Sequence, residues 1–111
     1  MRKFNIEDYK NVRLRIFVIG YSDQGESIVT LFMDAHEQVF YTMVVDCYAK
    51  GNVNKTKELL DKFHVVHIDL LCWSHPDKDH SVGVDTLIEN YCDDRSCILV
   101  PYGIEGEMKI A

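Results

Sequence analysis

Seven residues, Ser74 to His80 (SHPDKDH), place two histidines and two aspartates around a lysine, directly after the apolar run Ile68 to Trp73. Imidazole nitrogens and carboxylate oxygens are ligands for zinc, manganese or iron, and a carboxylate-rich set shifts the preference toward harder ions such as manganese. Residues two apart in extended chain point the same way, so His75, Asp77 and Asp79 can converge on one side while His80 closes in from the start of the next element. Pro76 restrains its own backbone and that of His75, which lowers the entropy lost in forming such a cradle. The competing reading is a solvated polar turn in which Ser81 and Asp79 only cap the helix that follows, as their residue types favour.

A loop of this kind needs elements that hold it. Residues 13–20 (RLRIFVIG) and 26–34 (ESIVTLFMD) alternate as strands, and 39–47 (VFYTMVVDC) form a third. The turns between them are short, so an antiparallel meander is the economical topology. After the glycine-and-asparagine break AKGNVN, residues 55–64 (KTKELLDKFH) put Leu59, Leu60 and Phe63 on one helical face, with Asn52 or Asn54 as N-cap. The strand at 68–73 leads into the polar loop. A helix over about 81–91 then aligns Val84, Leu87, Ile88 and Tyr91 in one buried stripe, and 97–101 (CILVP) form the last strand. This order predicts an α/β domain in which the loop leaves the carboxyl end of a buried strand, where open sheets place their ligands.

Composition sets the outer limits. The chain has 111 residues and 47% hydrophobic content, enough for one packed domain spanning 1–111. A formal charge of −6 argues against holding nucleic acid by bulk electrostatics, which needs clustered lysine and arginine. Nucleic-acid chemistry would have to be local, at a metal. The start, MRKFNIEDYKNVR, lacks the apolar run of a signal peptide and nothing later approaches a membrane span, so a cytoplasmic protein without membrane contact is expected. Cys47, Cys72, Cys92 and Cys97 show no CxxC spacing and are expected to be reduced core residues.

Ser74, His75, Asp79 and His80, with Asp77 between them, give an HPDKDH order that resembles the metal signature of the metallo-β-lactamase fold, in which a strand ends in Thr or Ser and His-x-His-x-Asp-His follows. Asp77 stands where the second histidine usually does, a variant similar to the hydrolase domain of ComEC-type competence proteins. The junction from Gly20 to Ile28 and the run VVDCYAKGN, with Asp46 at the family's strand-end aspartate, extend the resemblance over about 13–101. It implies the N-terminal half of an αββα sandwich. It also implies that His75 and Asp77 bind a first metal ion and Asp79 and His80 a second, zinc or manganese, with Asp79 orienting the hydroxide between them. Two such cations lower the pKa of a bridging water toward neutrality and neutralise charge developing on a phosphoryl or carbonyl oxygen. Asp46 is expected to brace the loop as a hydrogen-bond acceptor and not to bind metal. Asp77 in place of a histidine puts zinc in doubt as the native ion, and Val82 replaces a frequent glycine.

The family's remaining ligands come from a second half, whereas after Pro101 only YGIEGEMKIA follows, without histidine or aspartate. The site is therefore expected to be incomplete: the sequence is a piece of a longer protein, a second chain completes it, or it is a degenerate relative that binds a partner. With one half missing, Val18, Val29, Leu31, Val44 or Leu70 should be left facing water, and a homo-oligomer is expected. His64 and His67 have no acidic partner at ligand spacing, and His36 sits in a hairpin turn. Lys78 points from the loop toward a possible substrate phosphate, with solvent as the alternative. Phe17, Phe32, Phe40 and Tyr41 are expected in the core, and Trp73 either walls a pocket or packs. Two functions stay open: a metal-dependent hydrolase, by analogy acting on phosphodiesters, and a non-catalytic binding or assembly domain.

Overall fold

The computed structural model describes residues 10–21, 25–74 and 83–100. The alternating segments at the start form β1 (Arg13–Tyr21), β2 (Gly25–Met33) and β3 (Val39–Val45). They pair antiparallel as the expected meander, with Arg13 opposite Met33 and Ile28 opposite Val45. Phe32 faces Tyr41 while Met33 faces Val39, so Phe40 is an extra residue that kinks β3 at its start. Buried Asp34 ends β2 earlier than its apolar neighbours predict. Its carboxylate accepts the backbone N–H groups of His36 at 2.9 Å and Gln38 at 3.0 Å, which closes the turn and leaves His36 exposed, as expected.

The AKGNVN break proves to be structured. Its residues form the two-residue strands β4 (Ala49–Lys50) and β5 (Val53–Asn54), which pair antiparallel around Gly51 at φ +62°. Helix α1 (Lys55–Lys62) follows at once. Of the two asparagines considered, Asn54 is the N-cap, accepting the Lys57 N–H at 3.0 Å through Oδ1. Then come β6 (Leu70–Cys72), α2 (Val84–Tyr91) and β7 (Cys97–Leu99).

The five longer strands form one mixed sheet in the order β1-β2-β3-β6-β7, in which β6 runs parallel to both β3 and β7. The chain is therefore of the α/β class, with a mixed sheet and two helices. The crossovers β3-α1-β6 and β6-α2-β7 step across the sheet in the same direction. Sharing the usual right-handed sense, they lay both helices on one face. There Val29, Leu31, Val44 and Leu71 from the sheet meet Leu60 of α1 and Val84, Leu87 and Tyr91 of α2 in one buried cluster. Each fully buried leucine in it stabilises the fold by about 2 kcal/mol.

Strand alternation leaves the other face bare. The row Ile16, Thr30, Met43, Leu70, Cys97 and the row Val18, Ile28, Val45, Cys72, Leu99 contain no buried residue. Ile16 is 61% and Val18 67% exposed. Val18 and Leu70 thus lie on the bare face as expected, but Val29, Leu31 and Val44 do not, because the period of two turns them toward the helices. The aromatics divide in the same way: Phe17 packs on Phe63 under α1 at 5.2 Å between centroids, whereas Phe32 and Tyr41 meet edge to face on the bare side. All four cysteines are free; only Cys47 is fully buried and Cys97 is exposed. Among the described residues no helix is long and apolar enough to cross a membrane.

Candidate functional site

His75, Asp77, Asp79 and His80, together with Lys78 and Ser81, lie outside the described residues. The structure describes how the chain is held on either side of them. Because β3, β6 and β7 are parallel, their carboxyl ends share one edge of the sheet, and this edge carries Asp46 after β3 and Ser74 after β6.

Asp46 is almost fully buried and adopts a left-handed φ of 58°, a conformation that aspartate tolerates better than most residues. That twist ends β3 at Val45. The Asp46 N–H donates to the Cys72 carbonyl at 2.8 Å, and its own carbonyl accepts the Ser27 hydroxyl at 3.1 Å. Its carboxylate reaches across to the neighbouring strand, where Oδ1 accepts the Ser74 N–H at 2.7 Å and Oδ2 the Ser74 hydroxyl at 2.5 Å. Hydrogen bonds to a charged acceptor are roughly twice as strong as neutral ones. The residue just before His75 is thereby fixed on both backbone and side chain, which is the bracing role expected of Asp46.

The far side of the loop is held by Asn54. Its Nδ2 donates to the Gly83 carbonyl at 3.4 Å, while its Oδ1, besides capping α1, accepts the Cys47 thiol at 3.1 Å. Gly83 has φ +89°, and a Cβ there would stand 2.6 Å from Asn54 Nδ2 and 2.9 Å from Cys47 Sγ, so only glycine fits both the backbone and the space. Gly83 is also the N-cap of α2. The alternative reading, in which Ser81 and Asp79 only cap this helix, falls on residues outside the described ones. The helix stripe itself is as expected: Val84, Leu87 and Tyr91 are buried, and Ile88 packs beside them.

Burial pushes the Cys47 thiol up to about 11, only partly offset by its hydrogen bonding with Thr56 and Asn54. At neutral pH it is a protonated spacer and not a nucleophile. Burial also raises Cys72, with the negative charge of Asp46 adding to it. Trp73 packs against the core and donates its N–H to the Leu99 carbonyl at 2.8 Å. Among the described residues no group of three or more His, Cys, Asp or Glu side chains could hold a metal ion.

One expectation about the other histidines is corrected. His67 has acidic partners, with Nε2 3.0 Å from Asp93 and Nδ1 3.3 Å from Asp69. Asp69 lies two positions along in sequence, but Asp93 is brought in only by the return of α2. The Arg95 side chain above all holds the Asp93 carboxyl below the usual carboxylate range. Ser96 Oγ stands 3.2 Å from His67 Nε2, yet it donates to the Ile68 carbonyl at 2.6 Å and accepts the Asp93 N–H at 3.1 Å. Its hydroxyl is committed to the backbone, so this cluster at the amino ends of β6 and β7 is a structural staple and not a nucleophilic triad. His64 is exposed in the turn that ends α1.

No protein-family model matches the chain, and neither does any curated protein or solved structure.

Proposed function

We propose that the chain is part of a metal-dependent hydrolase of the metallo-β-lactamase type, in which His75, Asp77, Asp79 and His80 hold two divalent cations and the substrate is a phosphodiester. The observation that carries this reading is the anchorage of the loop: both its flanks are pinned at the carboxyl edge of a parallel strand pair, by Asp46 on Ser74 and by Asn54 on Gly83. A turn needed only for capping has no use for such clamps, whereas a ligand set has to be held to within a fraction of an ångström. Two imidazoles and two carboxylates in six residues fit hard or borderline divalent ions. When bound, such ions supply Lewis acidity toward water and toward phosphoryl oxygens. The chain's own part is to bind and orient. Asp46 fixes the peptide that leads into His75, Asp79 orients the attacking water, and Lys78 draws the phosphate in.

Four side chains are fewer than two ions need, so further donors come from another polypeptide segment. A helix-backed sheet with a bare apolar face is what one half of an αββα sandwich would be, and a second sheet packed on that face would bring those donors to the same edge. The same bare face favours a second reading, an assembly domain that keeps part of a metal motif. The double variant Asp79→Ala/His80→Ala separates the two. The hydrolase reading expects loss of manganese-dependent phosphodiester cleavage by the complete assembly, with an unchanged melting temperature in the absence of metal. The assembly reading expects a lower melting temperature and no activity to lose.

A further inference from the structure

The outer edge of the sheet offers a second feature. Among the described residues β1 has no strand neighbour on its outer side. A groove of about 610 Å³ runs along that edge, lined by residues 16–20 of β1 and by Lys55, Glu58, Leu59 and Lys62 of α1. Consecutive strand residues line it, so it follows the backbone edge and not one face of the strand. An unpaired strand edge exposes a row of N–H and C=O groups to any chain that can extend alongside it. Beside it α1 supplies an apolar floor through Leu59 and a basic rim through Lys55 and Lys62, with Lys55 3.7 Å from Glu58. Arg15 lies on the same side, over the Phe63 ring at 5.5 Å. In a chain of net charge −6 this rim is locally positive.

We propose that the β1 edge and its groove form a strand-addition site for an extended segment of a partner polypeptide whose alternate side chains are acidic and apolar. The acidic side chains face the lysines of α1. The apolar ones lie on the opposite side, where they prolong the exposed row of Leu14, Ile16 and Val18. Backbone hydrogen bonds to β1 give affinity, and the alternation gives specificity. A second copy of this chain is a poor occupant. Pairing β1 with β1 about a two-fold axis through the sheet sets each copy's Arg13 and Arg15 on the side of the other's Lys55 and Lys62, and like charges placed in this way repel.

The test uses the full 111-residue chain and a fluorescent eight-residue peptide of alternating valine and glutamate, followed by anisotropy and by amide chemical shifts. Saturable binding is expected, with shifts concentrated at residues 16–20 and 59–62. It should weaken at least tenfold for Lys55→Glu/Lys62→Glu, for a valine–lysine peptide, and for a valine–glutamate peptide N-methylated at alternate residues. Absence of binding, equal binding of the N-methylated peptide, indifference to the lysine reversal, or a chain dimer formed through β1 would each overturn the proposal. Lys55 is partly exposed and Lys62 exposed on the surface of α1, so their reversal leaves the fold intact, and circular dichroism checks this.

Discussion

Asp46 carries the most structural consequence of any single residue, because one buried carboxylate serves both the N–H and the hydroxyl of Ser74. Asp46→Ala should cost about 1.5–3 kcal/mol in urea unfolding, the range for hydrogen bonds to a charged acceptor. Asp46→Asn keeps one acceptor and tolerates φ of 58°, so about 1 kcal/mol is expected. Equal losses for the two variants would show that the carboxylate itself is not the brace. Cys47 gives a chemical readout of the same region: with its thiol raised to about 11, roughly one molecule in a thousand is thiolate at pH 8. Alkylation followed by mass spectrometry should label exposed Cys97 early and Cys47 only on unfolding. The role of Asp46 was legible because a strand-end aspartate and a strand-end serine have recognisable types at recognisable places. The pairing of His67 with Asp93 was not, since Asp93 lies 26 residues away and only the path of α2 brings it close.

Each connection between elements has its own weak point. Gly83→Ala adds a Cβ that must displace Asn54 and Cys47 and also strains φ, whereas Gly51→Ala at φ +62° meets nothing within 4 Å. Gly51→Ala should therefore cost about 1 kcal/mol from the left-handed backbone alone, and Gly83→Ala distinctly more, as judged by the midpoints of thermal unfolding. A second link joins the helices: the Tyr91 hydroxyl donates to the Asp61 carboxylate, which also pairs with Lys57 at 2.7 Å. Burial first and Asp61 second push Tyr91 up to about 12. A folded-state value above the unfolded one near 10 favours the neutral form. The contribution is thus complete below pH 10 and is lost as pH rises through 12. Tyrosinate absorbance should show Tyr91 titrating about two units late, and less late in Asp61→Ala, where burial keeps the larger part of the shift. The seven main elements could be read in order because each has a clear period of two or near 3.6. The β4–β5 ladder escaped because two residues per strand carry no period, and α2 begins at Val84, the first residue of its apolar stripe, and not at about 81, because Gly83 is its N-cap.

For the molecule as a whole, the sheet has one face packed by helices and one face of uncovered apolar side chains, while the net charge is −6. Apolar burial drives association through that face and like charge opposes it, so self-association should strengthen with salt as the repulsion is screened. Light scattering is expected to show an oligomer at moderate ionic strength, and Val18→Glu combined with Leu99→Glu should return it to a monomer. A monomer that fails to bind a hydrophobic dye would remove the case for a second layer packed on that face. That one face would be bare could be foreseen from the sequence, but its membership could not, because the hand of two crossovers decides which alternate residues the helices cover. The proposal that residues 75–80 hold divalent cations is tested most directly by calorimetric titration of manganese into the chain and into Asp79→Ala/His80→Ala. Saturable heat is expected for the first and none for the second, with both equally folded. The same heat from both, or none from either, would contradict it.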